Sequence, residues 1–127
     1  MLNLFTFFEM SEIVSYHIDF LHNEFTLEVN NSQMGYQKAI FKGVSTFYFI
    51  HDQTEKRKNF FPPEQNKVLE TSDVGILDNT LEINLNSKSV DWAHDYSGSG
   101  NVFIEIWEQL IILEAQIVSI NGVDYNL

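Results

Sequence analysis

The side chains best suited to chemistry lie in the second half of the chain. Asp91, His94 and Asp95 fall at i, i+3 and i, i+4 spacing, so on one helical turn they would share a face. Two carboxylates and an imidazole suit a divalent cation, but a polar loop assembles such a trio easily, and the plainer reading is a solvated loop with Trp92 packed inward. Glu105 and Glu114 fall on two segments that read as partner strands. Paired carboxylates would be the equipment of a glycosidase. The simpler reading points both to solvent from the polar side of a hairpin. The four histidines, His17, His22, His51 and His94, form no metal-binding pattern. No nucleophile elbow, phosphate loop or dinucleotide fingerprint is present. With no cysteine in the chain, Cys nucleophiles, disulfides and Cys zinc sites are excluded together. The residues therefore predict a protein without catalytic machinery, cofactor or metal.

Recognition is better served than catalysis. Lys56-Arg57-Lys58 is followed by Phe60-Phe61-Pro62-Pro63, two aromatics on a proline-stiffened loop. Such side chains lose little entropy on binding, although they are also suited to covering an open end of the core. The expected partner-binding set is Phe60, Phe61, Asp91, Trp92, Asp95, Glu105, Trp107 and Glu108, with acids for steering and aromatics as anchors.

The elements that position these residues are strands. Period-two alternation runs through Val14–Phe20, Phe25–Val29 and Leu81–Leu85, the signature of strands with one buried face. Leu21-His22-Asn23-Glu24 reads as the turn of a first hairpin. Gly43 interrupts the stretch from Tyr36 to Ile50 and marks a bulge or bend. Beyond it, Val44–Ile50 carries large apolar residues on both faces, which predicts a central, doubly covered strand. Val102–Trp107 and Leu110–Ile120 read as a hairpin turning near Glu108-Gln109. Asn121-Gly122 is the preferred type I′ dipeptide and predicts a short last strand. Val68–Thr71 reads as a short edge strand, and Ser97-Gly98-Ser99-Gly100 as a flexible stretch. The expected fold is all-β, a single antiparallel β-sandwich or partly open barrel of about seven or eight strands. One short helix, at residues 2–12 or 88–96, is the runner-up addition.

At 127 residues the chain fits one domain. Residues 1–9 are apolar without the basic start of a secretory signal, and Met10-Ser11-Glu12 reads as a second beginning. They are either an upstream extension before Met10 or an added element of the fold. With neither an export signal nor cysteine, a cytoplasmic location is expected. Eighteen acidic against seven basic residues give a formal net charge of −11. That balance argues against nucleic acid, which needs Lys and Arg for its phosphates, and against anionic membranes.

Three stretches carry a family resemblance. They are Ile18-Asp19-Phe20 with Phe25–Val29, Ile40–Val44 with Phe47-Tyr48-Phe49, and Phe103–Trp107 with Leu113–Ala115 and Ile120–Gly122. Together they resemble the YxiG-like group of small bacterial proteins. The resemblance implies an all-β domain with no cofactor and no catalytic residue, and an association with toxin loci among immunity-like proteins. The leading expectation is an acidic binding protein that occludes the active site of a basic toxin domain. Alternatives are a small-molecule-binding barrel with an interior lined by Tyr16, Phe47, Phe49 and Phe103, and a homo-oligomer subunit joined through strand edges.

Overall fold

The computed structural model describes residues 4–51, 69–77, 82–84, 97–107 and 109–127. Among the described residues a single 3-10 turn, Thr6–Phe8, precedes eleven strands. These are β1 (Glu12–Asp19), β2 (Glu24–Asn31), β3 (Gly35–Lys42), β4 (Thr46–His51), β5 (Asp73–Ile76), β6 (Glu82–Asn84), β7 (Ser97–Ser99), β8 (Val102–Ile106), β9 (Gln109–Glu114), β10 (Ile117–Ile120) and β11 (Val123–Asn126). A five-stranded sheet runs β1-β2-β3-β10-β11 and a four-stranded sheet runs β4-β9-β8-β5. β6 and β7 form a separate ribbon. All pairings are antiparallel. The expected all-β sandwich is the observed class.

The described strands outnumber the expected seven or eight because the chain crosses between the two large sheets twice, dividing two expected strands, and because β7 forms as well. The first crossing is at Gly43, whose φ of +63° favours glycine. The stretch 36–50 therefore divides into β3 and β4, in different sheets. The second is at Ala115-Gln116, where the long apolar run breaks into β9 and β10. The two crossings lie side by side. Gln116 N donates to Lys42 O at 2.9 Å, and a Cβ on Gly43 would stand 2.9 Å from Gln116 Oε1. Asn101 secures the second break, with its amide nitrogen donating to Ala115 O at 2.7 Å and its amide oxygen accepting from Ala115 N at 3.0 Å. Ser97-Gly98-Ser99 is strand β7 rather than a flexible stretch, and the Ser99 amide donates to the Glu114 carboxylate. The pairing expected at 68–71 is only a bridge between Glu70 and Glu12, and the strand itself begins at Asp73.

Alternation fills the interlayer space. Phe25, Leu27 and Val29 of β2 and Ala39 and Phe41 of β3 face Val102 and Ile104 of β8 and Ile111 and Leu113 of β9, all buried. The turn at Thr6–Phe8 adds to this core. Phe5 is 0% exposed and Phe8 1%. Phe5 stacks on Phe41 with ring centroids 5.9 Å apart. A buried polar clamp holds the segment in place: Ser11 N donates to Thr71 Oγ1 at 3.1 Å, Thr71 N donates to Ser11 O at 2.8 Å, and the Thr71 hydroxyl donates to Phe8 O. Buried hydroxyls with complete partners cost little, and here they fix where the N-terminal segment enters the core. Within the described part of 2–12 the runner-up helix is only this 3-10 turn, and the one at 88–96 lies outside the described residues.

Candidate functional site: an apolar cleft between two sheet edges

Among the described residues β1 ends the five-stranded sheet and β4 ends the four-stranded one. Between these edges the described residues leave the sandwich open. A cleft of about 410 Å³ lies between them, lined by Ile13, Tyr16 and Ile18 of β1, Phe25 and Leu27 of β2, and Phe47 and Phe49 of β4, and closed by Leu69, Ile106, Gln109 and Ile111. Its only described polar lining groups are the Gln109 amide and the Tyr16 hydroxyl.

A bulge aims β1 into this cleft. The register with β2 shifts between Ile13 and Ser15, so that Ile13 pairs Val29 while Tyr16 pairs Leu27 and Ile18 pairs Phe25. The extra residue, Val14, is exposed, and Ile13, three positions before Tyr16, comes to the same face. Simple alternation placed Val14 with Tyr16 and Ile18, and the bulge removes it from that face.

β4 departs most from expectation. It lies at a sheet edge, not in the centre, and Phe47, Tyr48, Phe49 and Ile50 are all substantially exposed. Phe47 and Phe49 face the cleft, where Phe25 and Phe47 pack with centroids 5.4 Å apart. Tyr16 is 65% exposed and Phe49 52%. Large exposed aromatics thus rim an apolar floor. Beyond Ile18 the apolar surface continues to the β1–β2 turn, where Phe20 is 86% exposed and Leu21 equally open. A second depression shares Ile18, Phe25 and Phe47 with the cleft and reaches Phe20, and Asp19, Asn23, Glu24, Ser45 and Thr46 add polar groups to its lining.

The turn itself is held by hydrogen bonds. Asp19 Oδ1 accepts from Leu21 N at 2.9 Å and from His22 N at 3.1 Å, and Asn23 takes the left-handed conformation at φ +56°. His22 Nδ1 lies 2.7 Å from Asp19 Oδ2. The hydrogen bond to His22 holds the Asp19 carboxyl below its ordinary value, and the same bond raises the His22 imidazole.

Of the residues expected to bind a partner, Phe60, Phe61, Asp91, Trp92, Asp95 and Glu108 lie outside the described residues, as does His94. Glu105 is half-buried on the outer face of the four-stranded sheet, directly opposite Asp73. Trp107 occupies the β8–β9 turn at φ +52°, between the cleft-lining Ile106 and Gln109. The proposed carboxylate pair does not form. Glu105 opposes Leu110, four positions before Glu114 on β9, roughly 13 Å along the strand. Glu114 is instead held by Ser45 Oγ at 2.9 Å and by the Ser99 amide. Of the four aromatics expected to line a cavity, Tyr16, Phe47 and Phe49 meet in the cleft. Phe103 faces the other way, its ring over Gly75, where a Cβ would approach to 2.8 Å. A larger depression beside the crossings is polar, but Glu114 and Asn101 there are already committed to structural hydrogen bonds. Among the described residues no group of three or more acids and histidines is placed to hold a metal, and no helix is long and apolar enough to cross a membrane.

The described residues form an antiparallel β-sandwich with an apolar cleft along one side, its floor apolar and its rim aromatic. The chain matches the family described as YxiG-like protein over residues 1–125, and it belongs to that family. A comparison with curated proteins finds no match.

Proposed function

We propose that this YxiG-like protein is a non-catalytic binding protein whose partner is a basic protein domain, and that it acts as an immunity protein, occluding the active site of a toxin. The observation that carries the reading is the open cleft with its exposed rim of Tyr16, Phe49 and Phe20. Large aromatics around a desolvated floor are the usual anchors of a protein interface. The net charge of −11 supplies the steering, since an acidic protein accelerates its encounter with a basic one. Toxin nucleases are suitable partners because binding nucleic acid makes them basic.

Co-expression with candidate toxin domains, taken from any large gene found next to its own, tests this. Restored growth and co-purification are expected. Absence of both removes the immunity reading. The small-ligand alternative is favoured by one observation, that the cleft volume falls within the range of ligand pockets. The scarcity of convergent polar groups makes it second, because a small ligand needs them for orientation. Saturable chemical shifts confined to the cleft on adding small apolar compounds, without any effect of a protein partner, would favour it.

A further inference from the structure

We propose that the depression beside the β1–β2 turn is where the partner places a basic side chain, an arginine or lysine whose apolar stem lies on phenylalanines and whose charged head meets the Asp19 and Glu24 carboxylates. The inference rests on the binding reading above and adds what the partner must bring. Three observations carry it. First, the depression joins apolar walls to acids. It encloses about 400 Å³ between the turn and the start of β4. Phe20 and the Phe25–Phe47 pair, with centroids 5.4 Å apart, line it together with Asp19 and Glu24, and no Lys, Arg or His is among its lining residues. Long basic side chains suit such a surface, because they bury an apolar stem while the charged head stays in a polar setting, and aromatic faces attract the cation. An apolar side chain there would strip water from the acids without replacing it.

Second, the acids have charge to offer. Glu24 forms no ion pair among the described residues, whose lysines, Lys38 and Lys42, are paired with Glu28 and Asp124 at 3.9 and 3.8 Å. Asp19 accepts from the Leu21 and His22 amides and the His22 ring, which fixes its position and leaves one acceptor site of about four. Residues 1–37 hold Glu9, Glu12, Asp19, Glu24 and Glu28 and no Lys or Arg. That field favours a basic protein over an anionic membrane or a second copy of the chain, itself at −11. Third, the two walls are tied together. Val44 N donates to Asn23 O at 2.9 Å, so the turn hangs on the crossing into β4 and little ordering remains for binding to cost. Asp19 and Asn23 supply the turn chemistry, so the exposed Phe20 and Leu21 are needed neither for the turn nor for the core. They stand where they would screen an ion pair from water.

The test selects displayed short random peptides on the intact protein. Enriched sequences are expected to share an Arg or Lys beside apolar residues and to shift the amides of Phe20–Phe25 and Val44–Phe47 in NMR spectra. Replacing that Arg by citrulline, which keeps the shape without the charge, should weaken binding about tenfold, as should Glu24→Gln in the protein. Enrichment of acidic or uncharged peptides, shifts elsewhere, insensitivity to both replacements, or absence of enrichment would each overturn the proposal. So would binding to phosphatidylcholine vesicles that Phe20→Ala abolishes, or peptide binding that emerges only once Lys56, Arg57 and Lys58 are changed to Gln, which would give the depression to the chain itself. Growth rescue by co-expression is a separate readout. Rescue by a toxin domain whose binding ignores Glu24 removes this contact and leaves the immunity reading; a Glu24-dependent peptide site without rescue does the reverse.

Discussion

Asp19 holds the β1–β2 turn through two backbone amides and the His22 ring. The linkage follows from the two shifts. Asp19 is depressed below 3.8, so its contribution is present above that value and lost as pH falls through the folded-state pKa. His22 is raised above 6.5, so its contribution is complete below that value and lost as pH rises through the folded-state pKa. The turn is therefore held most firmly between roughly pH 4 and 6.5. An NMR titration should place His22 above its ordinary value, and Asp19→Asn should return it towards that value while retaining the backbone caps. The rim residues behave differently. Tyr16→Ala and Phe49→Ala remove exposed side chains and should each cost less than about 1 kcal/mol of folding stability in chemical denaturation. If they anchor the partner, each should weaken binding by about 2 kcal/mol, roughly thirtyfold, in calorimetry with the co-purified partner.

At the scale of elements, the 3-10 turn at Thr6–Phe8 ties the N-terminal segment into the core. Phe8→Ala should cost about 3–5 kcal/mol, and a chain begun at Met10 loses Phe5 as well. Thermal unfolding of the truncated chain checks this, and mass spectrometry of the native N-terminus shows which start the cell uses. At the first sheet crossing, Gly43→Ala should cost about 1–2 kcal/mol through its positive φ, more than through the displaceable Gln116 side chain. Much of this level was legible in the sequence. Alternation marked β2 and β6, the hairpin reading marked β8, and Asn121-Gly122 turns with φ of +50° and +89°, as the type I′ dipeptide demands. The bulge in β1 and the break at Ala115-Gln116 were not legible, because neither carries a glycine or proline and both depend on contacts made by distant strands. β4 misled for an informative reason. Apolar residues on both faces ordinarily mean burial on both faces, and here they mean an open cleft on one side and exposed surface on the other.

For the molecule as a whole, charge and shape make separate contributions to association. With the screening length falling from about 10 Å at 0.1 M salt to about 3 Å at 1 M, the association rate with a basic partner should fall steeply with salt. Dissociation, governed by the apolar contacts of the cleft, should change little, and stopped-flow mixing separates the two. The candidate site was only partly legible at this scale. Tyr16, Phe47 and Phe49 could be named as aromatics of a cavity, but their meeting depends on the facing of two sheet edges, a relation that sequence spacing does not encode. Phe103 has the same composition and periodicity, and the register puts it on the opposite face.

The paired crossings at Gly43 and Gln116 also govern how the chain reaches this fold. Each sheet is completed only by strands that leave the other, since β3 continues into β4 and β9 into β10. Neither layer can mature as an independent unit, so unfolding should be a single all-or-none event despite the two-sheet architecture. The central pairing of β3 with β10 joins segments more than seventy residues apart, and loop closure over such distances is slow. Refolding should therefore take milliseconds to seconds rather than microseconds, which stopped-flow fluorescence of the refolding chain would record.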